Sequence, residues 1–192
     1  LRSFPDVEPV LGGFSRDEIL SAGEIVLSPG ISLSTPEIAE AVGTPFYVYS
    51  CATLTRHYRL FEEALQGLDH LVCFAVKSNS NVAVLAHLAG LGAGMDVVSG
   101  GEYLRAKAAG VPGERIVFSG VGKTAGEMRL ALEGGIRQFN VESEPELELL
   151  SSIAADIGKV APIAVRVNPD VDARTHEKIA TGKSENKFGI PI

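Results

Sequence analysis

The chain has 192 residues, of which 45% are hydrophobic and 21% charged, a composition typical of a soluble globular protein. Its net charge of −7, from 17 basic and 24 acidic residues, argues against binding to nucleic acid or to an anionic membrane surface. No stretch approaches the ~20 apolar residues of a membrane-spanning helix. The two cysteines, Cys51 and Cys73, lack metal-ligand spacing. We therefore expect a cytoplasmic protein that binds no membrane, nucleic acid or metal.

Residues 1–50 do not share the pattern of the rest of the chain. They predict a short helix from Thr35 to Val42 and a strand from Phe46 to Tyr49. A helix from about Ala52 to Leu65 follows. We interpret residues 1–50 as a separate layer from the domain that begins at residue 51.

The first strand of that domain ends in a lysine. Leu71–Val76 is a short apolar run typical of a buried strand, and a polar Ser/Asn turn follows Lys77. Strand alternation places Lys77 on the same face as Ala75 and Cys73, which are small and leave room for a flat ligand. Desolvation there would favour the neutral, nucleophilic amine that a Schiff-base lysine requires. The alternative interpretation is a lysine at a strand end that simply reaches water.

Beyond this lysine the sequence repeats a strand, a helix-capping signal and a helix that usually stops at glycine. The capping signals are Ser99–Glu102, Thr124–Glu127 and Ser143–Glu146, each directly after a strand. Such βα units predict a parallel sheet with right-handed crossovers. The predicted strands are Leu71–Val76, Met95–Val98, Ile116–Phe118, Gln138–Val141 and Ile163–Val167, and the predicted helices are Val82–Leu91, Glu102–Ala109, Ala125–Glu133 and Glu144–Ile157.

The predicted strands have two unlike faces. In Ile163–Asn168, one face carries Ala164, Arg166 and Asn168, while the other is branched and apolar. A doubly wound sheet would be apolar on both faces, so a barrel with a polar inner face explains the pattern better. An eight-stranded barrel needs roughly 200–250 residues. Only 142 residues follow position 50 (192 minus 50), so we expect an incomplete barrel of five strands, with a further helix beginning near Phe188.

One near-motif is rejected. Gly122-Lys123-Thr124 follows a strand and is similar to the end of a phosphate-binding P-loop. That motif requires a glycine five positions before Gly122, where this sequence has Val117 inside a strand. We therefore do not predict a nucleotide-binding site.

Six segments, in order, resemble a known family. The run Phe74–Asn81 resembles the cofactor-lysine motif of the fold-type III pyridoxal-phosphate decarboxylases. The ordered set is more similar to the diaminopimelate decarboxylases than to ornithine or arginine decarboxylases or alanine racemases, from about Gly43 to the last residue. The other five segments are Met95–Glu102, Arg115–Thr124, Phe139–Leu147, Arg166–Asp172 and His176–Ile190.

The resemblance implies an α/β fold, a (β/α)8 barrel of alanine-racemase type, of which only about the first five strands are present. Residues 51–192 would form the first half of the pyridoxal-phosphate-binding barrel, and residues 1–50 would contribute to a β-sandwich domain. The implied reaction is decarboxylation of meso-2,6-diaminopimelate to L-lysine and CO2, in lysine biosynthesis, with pyridoxal 5'-phosphate as electron sink. The substrate would be a small amino acid, and the complete protein a homodimer with shared active sites.

The same resemblance implies roles for four residues. Lys77 would be catalytic and hold the cofactor as a Schiff base, while Asp96, Glu102 and Arg166 would bind around the cofactor ring and its lysine. Each of these three also has a structural alternative: a capping box closed by Glu102, a backbone bond of Asp96, and an ion pair of Arg166 with a neighbouring carboxylate. We do not assign the ring-stacking role to His176, because the family's stacking histidine lies on a later strand. His176 lies in a Thr/Asp/Lys-rich segment, which we interpret as a mobile flap near the site.

Two alternatives to this function stay open. One is another fold-type III amino-acid decarboxylase or racemase, and the other is an inactive relative that only mediates interactions. The family's phosphate loop and substrate-binding residues belong to its C-terminal half, so no residue is assigned to them. Whether the 192-residue chain alone is active is therefore left open.

Overall fold

A computed structural model describes Tyr47, residues 49–171 and residues 188–191 of the chain. The predicted helix at Thr35–Val42 and the flap around His176 lie outside the described residues. No helix in the described part has the length and apolar character needed to cross a membrane.

The chain divides into two units, Leu1–Arg59 and Leu60–Ile192. Helix α1 (Cys51–Ala64) confirms the helix predicted after residue 51. Of the predicted strand Phe46–Tyr49, the two tyrosines are described and neither lies in a strand. The predicted domain boundary after residue 50 stays a prediction.

Strands and helices alternate beyond Leu60, as the capping and apolar patterns predict. The predicted and observed bounds agree within three residues through β4, since apolar runs and N-cap residues are local signals. The strands are β1 (Cys73–Ala75), β2 (Gly94–Val97), β3 (Ile116–Phe118), β4 (Gln138–Val141) and β5 (Ile163–Val165), and the helices are α2 (Val82–Leu91), α3 (Gly100–Ala108), α4 (Ala125–Glu133) and α5 (Glu144–Asp156).

All five strands are parallel, and each lies beside the strand that precedes it in sequence, in the order β1-β2-β3-β4-β5. A doubly wound sheet reverses its strand order at a switch point, and this sheet does not. Winding in one direction is the arrangement of a barrel wall. The fold class is therefore α/β with five parallel strands alternating with helices; closure into eight strands stays a prediction.

The end of the predicted fifth strand changes partner at Arg166. The Arg166 N–H donates to the carbonyl of Val141 (2.8 Å), whereas the Arg166 carbonyl accepts from Ile190 N–H (2.8 Å). Strand β6 (Val167–Asn168) then pairs in parallel with β7 (Ile190–Pro191) in a second, two-stranded sheet. The helix expected near Phe188 is therefore wrong for the described residues, because the chain there extends along β6.

The core lies on one face of the sheet, where the helices pack. Its strand residues are fully buried and alternate with half-buried residues on the opposite face, as the period of two requires. Ile163 and Val165 share the parity of this face on β5, yet they are 41% and 47% exposed. The buried hydrophobic strand residues are Met95, Val97, Ile116, Phe118, Phe139 and Val141.

One of the three predicted capping boxes is confirmed in full. The Thr124 hydroxyl accepts from Glu127 N–H, and the Glu127 carboxylate accepts from Thr124 N–H (2.9 Å). The other oxygen of Glu127 accepts from Gly100 N–H (2.6 Å), at the start of α3. Glu127 therefore caps two neighbouring helices.

In the other two boxes, the predicted bond from the glutamate side chain to the N-cap N–H is wrong. The serine hydroxyls cap α3 and α5 as predicted, but each glutamate reaches one residue farther back. The Glu102 carboxylate accepts from Val98 N–H (2.8 Å), and the Glu146 carboxylate accepts from Glu142 N–H (3.0 Å). These bonds fix the turns that leave β2 and β4.

Candidate active site

Lys77 lies in a turn at the carboxyl end of β1. The strand ends at Ala75, and Val76–Ser78 form a single 3-10 turn. Strand alternation therefore stops before Lys77, and the prediction that the pleat places it on the face of Ala75 and Cys73 is wrong. The turn sets the direction of the lysine, and its side chain is exposed.

The Ser/Asn run after Lys77 builds this turn. The Ser78 hydroxyl donates to the Ala75 carbonyl (2.7 Å), and Asn79 N–H donates to the Val76 carbonyl (3.0 Å). The Asn81 side chain then accepts from backbone N–H groups at the start of α2. The polar residues of the motif thus hold the lysine at the strand end.

Among the residues that the structure describes, two lysines lie near the carboxyl ends of the strands, and their environments differ. The Lys123 ammonium donates to the carbonyls of Gly120 and Asn140 (both 2.8 Å) and to the Glu146 carboxylate (2.7 Å). Because an ammonium has three donors, Lys123 is fully bonded. Lys77 makes no hydrogen bond or ion pair with any residue that the structure describes. Lys77 is therefore the amine available to a ligand, and Lys123 is a structural residue.

Asp96 terminates a chain of side-chain hydrogen bonds that crosses the face opposite the helices. Gln138 donates to Asn140 (2.7 Å), Asn140 donates to the Ser119 hydroxyl (2.9 Å), and Ser119 donates to Asp96 (2.6 Å). Because the amide of Asn140 occupies a lone pair of Ser119, the hydroxyl proton points to Asp96. The carboxylate is thus oriented by β3 and β4, and its Cα pairs with that of Ala75 on β1.

Asp96 also acts on the thiol of Cys73. Burial, and to a smaller extent the negative charge of Asp96, raise the pKa of the Cys73 thiol. A thiol with a raised pKa is a poor nucleophile. Cys73 is therefore a small packing residue of β1.

Arg166 pairs with Glu142, a buried carboxylate that follows β4. Its Nη1 lies 3.1 Å and 3.0 Å from the two carboxylate oxygens. Glu142 also accepts from Gly120 N–H (3.1 Å). The Arg166 guanidinium also lies 5.0 Å from the ring centroid of Phe188. The ion pair that sequence offered as a structural alternative for Arg166 is thus present.

The four predicted residues all lie at or just beyond the carboxyl ends of strands, but no hydrogen bond or ion pair joins any two of them. Two of them are held by side chains that sequence reasoning missed: Asp96 by Ser119 and Asn140, and Arg166 by Glu142. The sequence contained a signal for two of these three residues, because Asn140 and Glu142 form the polar face of Phe139–Glu142.

The donor set suits a carbonyl-bearing anionic cofactor such as pyridoxal phosphate. The amine of Lys77, which has no partner among the described residues, is the group that an aldehyde requires, and Arg166 adds a cation that is only partly screened by Glu142. In the described part of the chain, no group of three or more His, Cys, Asp or Glu residues could hold a metal ion.

These features define a class of protein: a parallel α/β domain, wound in one direction, with an available lysine at the end of its first strand. Residues 51–192 match the family model "Pyridoxal-dependent decarboxylase, pyridoxal binding domain", and the chain belongs to this family. Residues 1–49 match a different model, "Mur ligase MurD-like, N-terminal domain". The contribution of residues 1–50 to a β-sandwich stays a prediction.

Curated relatives of the chain include diaminopimelate decarboxylases from several bacteria. It is 57% identical over 167 residues to that of Pseudomonas aeruginosa, covering 87% of this chain and 40% of the relative. It is 59% identical over 158 residues to that of Zymomonas mobilis, covering 81% of this chain and 38% of the relative. The chain thus spans about 40% of the length of the curated relatives it matches.

Solved structures agree on the fold. Diaminopimelate decarboxylase from Helicobacter pylori, complexed with L-lysine, is similar with a TM-score of 0.79 and 45% identity, over 81% of this chain and 40% of that one. Lysine decarboxylase from Selenomonas ruminantium is similar with a TM-score of 0.64 and 26% identity, over 84% of this chain and 40% of that one.

Proposed function

We propose that the chain is the cofactor-binding part of a diaminopimelate decarboxylase, which converts meso-2,6-diaminopimelate to L-lysine and CO2 in lysine biosynthesis. The observation that carries the proposal is the exposed amine of Lys77 at the end of β1, which forms no hydrogen bond or ion pair with the residues that the structure describes. High identity to diaminopimelate decarboxylases, 57% over 167 residues, supports the substrate. The reaction replaces a C–CO2 bond by a C–H bond at the same carbon, so it consumes one proton and needs no oxidant.

Each site residue has a proposed task. Lys77 binds the cofactor covalently through its amine, and Asp96, oriented by Ser119, presents a fixed negative charge beside it. Glu102 holds the turn after β2 through Val98 N–H, and Arg166, paired with Glu142, provides a positive charge that binds the anionic cofactor. Bound pyridoxal phosphate supplies the conjugated ring that accepts the electron pair left when CO2 departs.

The larger assembly is part of the same proposal. Residues 51–192 form the first half of an alanine-racemase-type (β/α)8 barrel, and residues 1–50 contribute to a β-sandwich. The exposed outer residues of β5 support further barrel structure beyond it. The complete protein is a cytoplasmic homodimer that shares its active sites and takes a small amino acid as substrate.

A substrate comparison tests the reaction. The whole protein, loaded with pyridoxal phosphate, is assayed for CO2 release from meso-diaminopimelate, L-lysine, L-ornithine and L-arginine, and for racemisation of alanine. We expect release from diaminopimelate alone. Preferred turnover of another amino acid would assign the chain to a different fold-type III enzyme, for which the similarity to lysine decarboxylase is the supporting observation.

A labelling experiment tests the residue. Borohydride reduction followed by peptide mass analysis is expected to find the cofactor fixed on Lys77. Lys77→Ala should abolish the label and the activity, because no other amine in the described part of the chain takes the same position, while Lys107→Ala on the exposed side of α3 should keep both. A label on another lysine would refute the assignment, and no label at all would favour the inactive, interaction-only relative.

A further inference from the structure

Arg166 and Glu142 form an ion pair whose two members differ in exposure. The Glu142 side chain is 2% exposed, whereas the Arg166 side chain is 39% exposed, and the nearest N···O distance is 3.0 Å. A buried carboxylate is stable only when its charge is paired and hydrogen-bonded. Glu142 can therefore hold the guanidinium in place while the exposed part of Arg166 contacts a ligand.

Contacts other than the ion pair with Arg166 hold Glu142 in position. Its carboxylate accepts from Gly120 N–H (3.1 Å), and its own N–H donates to Glu146 (3.0 Å). Glu146 is in turn bonded to the buried Lys123. Glu142 is thus held from the ends of both β3 and β4, and a rigid partner of this kind can set the direction of a flexible side chain.

Arg166 is fixed at its backbone but not beyond it. Both backbone groups are hydrogen-bonded, to Val141 and to Ile190, while the side chain contacts Glu142 and the face of Phe188. An arginine without a partner samples many rotamers, and selecting one of them costs binding free energy. Glu142 removes that cost in advance.

We infer that Glu142 is a positioning residue, which orients the Arg166 guanidinium toward the carboxyl edge of the sheet and so strengthens binding of an anionic, pyridoxal-phosphate-type cofactor. The inference rests on the proposed function, because Arg166 is a cofactor-binding residue only there. Glu142 itself, at 2% exposure, does not reach the ligand.

The test measures the dissociation constant of pyridoxal phosphate by titrating the whole apoprotein, without reference to activity. Glu142→Gln keeps the size of the side chain and removes its charge. We expect it to raise the dissociation constant about tenfold, at the lower end of the effect of a lost charged hydrogen bond. In an Arg166→Ala background the same change should have no further effect, since the residue through which it acts is gone.

Two further variants separate positioning from general loss of structure. Gly113→Ala, just before β3 and at the opposite end of that strand from Ser119, adds a Cβ that would clash with the Gly134 carbonyl, so it should lower the unfolding temperature and leave the dissociation constant unchanged. Glu142→Asp keeps the charge but shortens the side chain by one methylene, and we expect it to fold and to weaken binding less than Glu142→Gln.

Three outcomes would overturn the inference. An unchanged dissociation constant in Glu142→Gln or Glu142→Asp would do so, as would an equal loss in the Arg166→Ala background or an equal loss in Gly113→Ala. All three leave the proposed function standing, provided that the unaltered protein binds the cofactor on Lys77. If the unaltered protein failed to bind pyridoxal phosphate, both the proposed function and the inference about Glu142 would be refuted.

Discussion

The Nζ atom of Lys123 lies 2.7 Å from Oε1 of Glu146, and the exposed fractions of the two side chains are 0% and 9%. This pair joins the loop after β3 to the first turn of α5. Because Glu146 also receives the N–H of Glu142, the ion pair supports the same edge of the sheet that carries Lys77 and Arg166. Lys123, which belongs to the rejected nucleotide-binding near-motif, therefore stabilises the edge of the sheet where the site lies.

Removing one partner of this pair should be costly. Lys123→Met leaves the Glu146 charge buried without its cation, so we expect the free energy of unfolding to fall by about 3 kcal/mol. Urea denaturation of the whole protein measures the free energy of unfolding, and Lys107→Met, on the exposed side of α3, is the control. Combining Lys123→Met with Glu146→Leu should recover part of the loss, and a double variant less stable than either single one would contradict the argument.

Ser119→Ala should disturb Asp96. The change removes the hydroxyl that links Asn140 to Asp96, so an amide donor and a carboxylate oxygen lose their partner. We expect a loss of about 1–2 kcal/mol in unfolding free energy and a weaker affinity for pyridoxal phosphate. Ser151→Ala, on the exposed side of α5, is the matched control, and equal affinities in the two variants would show that Ser119 does not orient the site.

Glu127 should make stability depend on pH. Hydrogen bonds from Gly100 N–H and then Thr124 N–H hold the pKa of Glu127 below its ordinary value of 4.5. A lowered pKa stabilises the fold above the ordinary value, and that stabilisation disappears as the pH falls through the lowered one. Glu127→Gln should therefore cost about 1 kcal/mol at neutral pH, the usual size of a lost helix cap, and progressively less below about pH 4.5.

Thermal unfolding from pH 7 to pH 3 checks this dependence. Glu148→Gln, an exposed change of the same charge on α5, provides the baseline. A difference between Glu127→Gln and the unaltered protein that stays constant over the whole range would show that the carboxylate charge does not contribute.

Two glycines should respond in opposite directions to alanine. A Cβ at Gly113 would lie 2.2 Å from the carbonyl oxygen of Gly134, a backbone atom that cannot move aside cheaply, so Gly113→Ala should cost about 3 kcal/mol. A Cβ at Gly90 in α2 would meet nothing within 4 Å, and Gly90→Ala should stabilise the protein by about 0.5–1 kcal/mol. Denaturant midpoints of the two variants measure both effects, and a tolerated Gly113→Ala would refute the close approach.

The 192 residues expressed by themselves should associate. On the outer face of β5, Ile163 and Val165 are 41% and 47% exposed, and Val167 on β6 is 53% exposed. Contiguous exposed apolar residues on a strand favour pairing with other chains. We expect no sharp unfolding transition and no turnover of diaminopimelate from this chain alone. A monomer in sedimentation experiments, with cooperative unfolding and normal turnover, would contradict the half-barrel proposal.

Local signals were enough to predict the repeating strands and helices. Apolar runs, serine or threonine N-caps and terminal glycines act within a few residues of their own position, so β3, β4, α2 and α4 were predicted at their observed bounds. The lysine motif likewise identified Lys77, because its Ser/Asn residues build the turn that follows β1.

Only the tertiary structure decided how the site residues are held. Three features depend on a neighbouring segment of chain. Glu102 and Glu146 each bond one residue beyond their capping boxes, and the predicted fifth strand divides at Arg166. The third feature is the hydrogen bond from Ser119 to Asp96. Sequence patterns record what a residue meets one turn or one pleat away. They do not record which polar group of the next strand lies opposite, so the partners of Arg166 and Asp96 emerged only when the parallel strands were placed side by side.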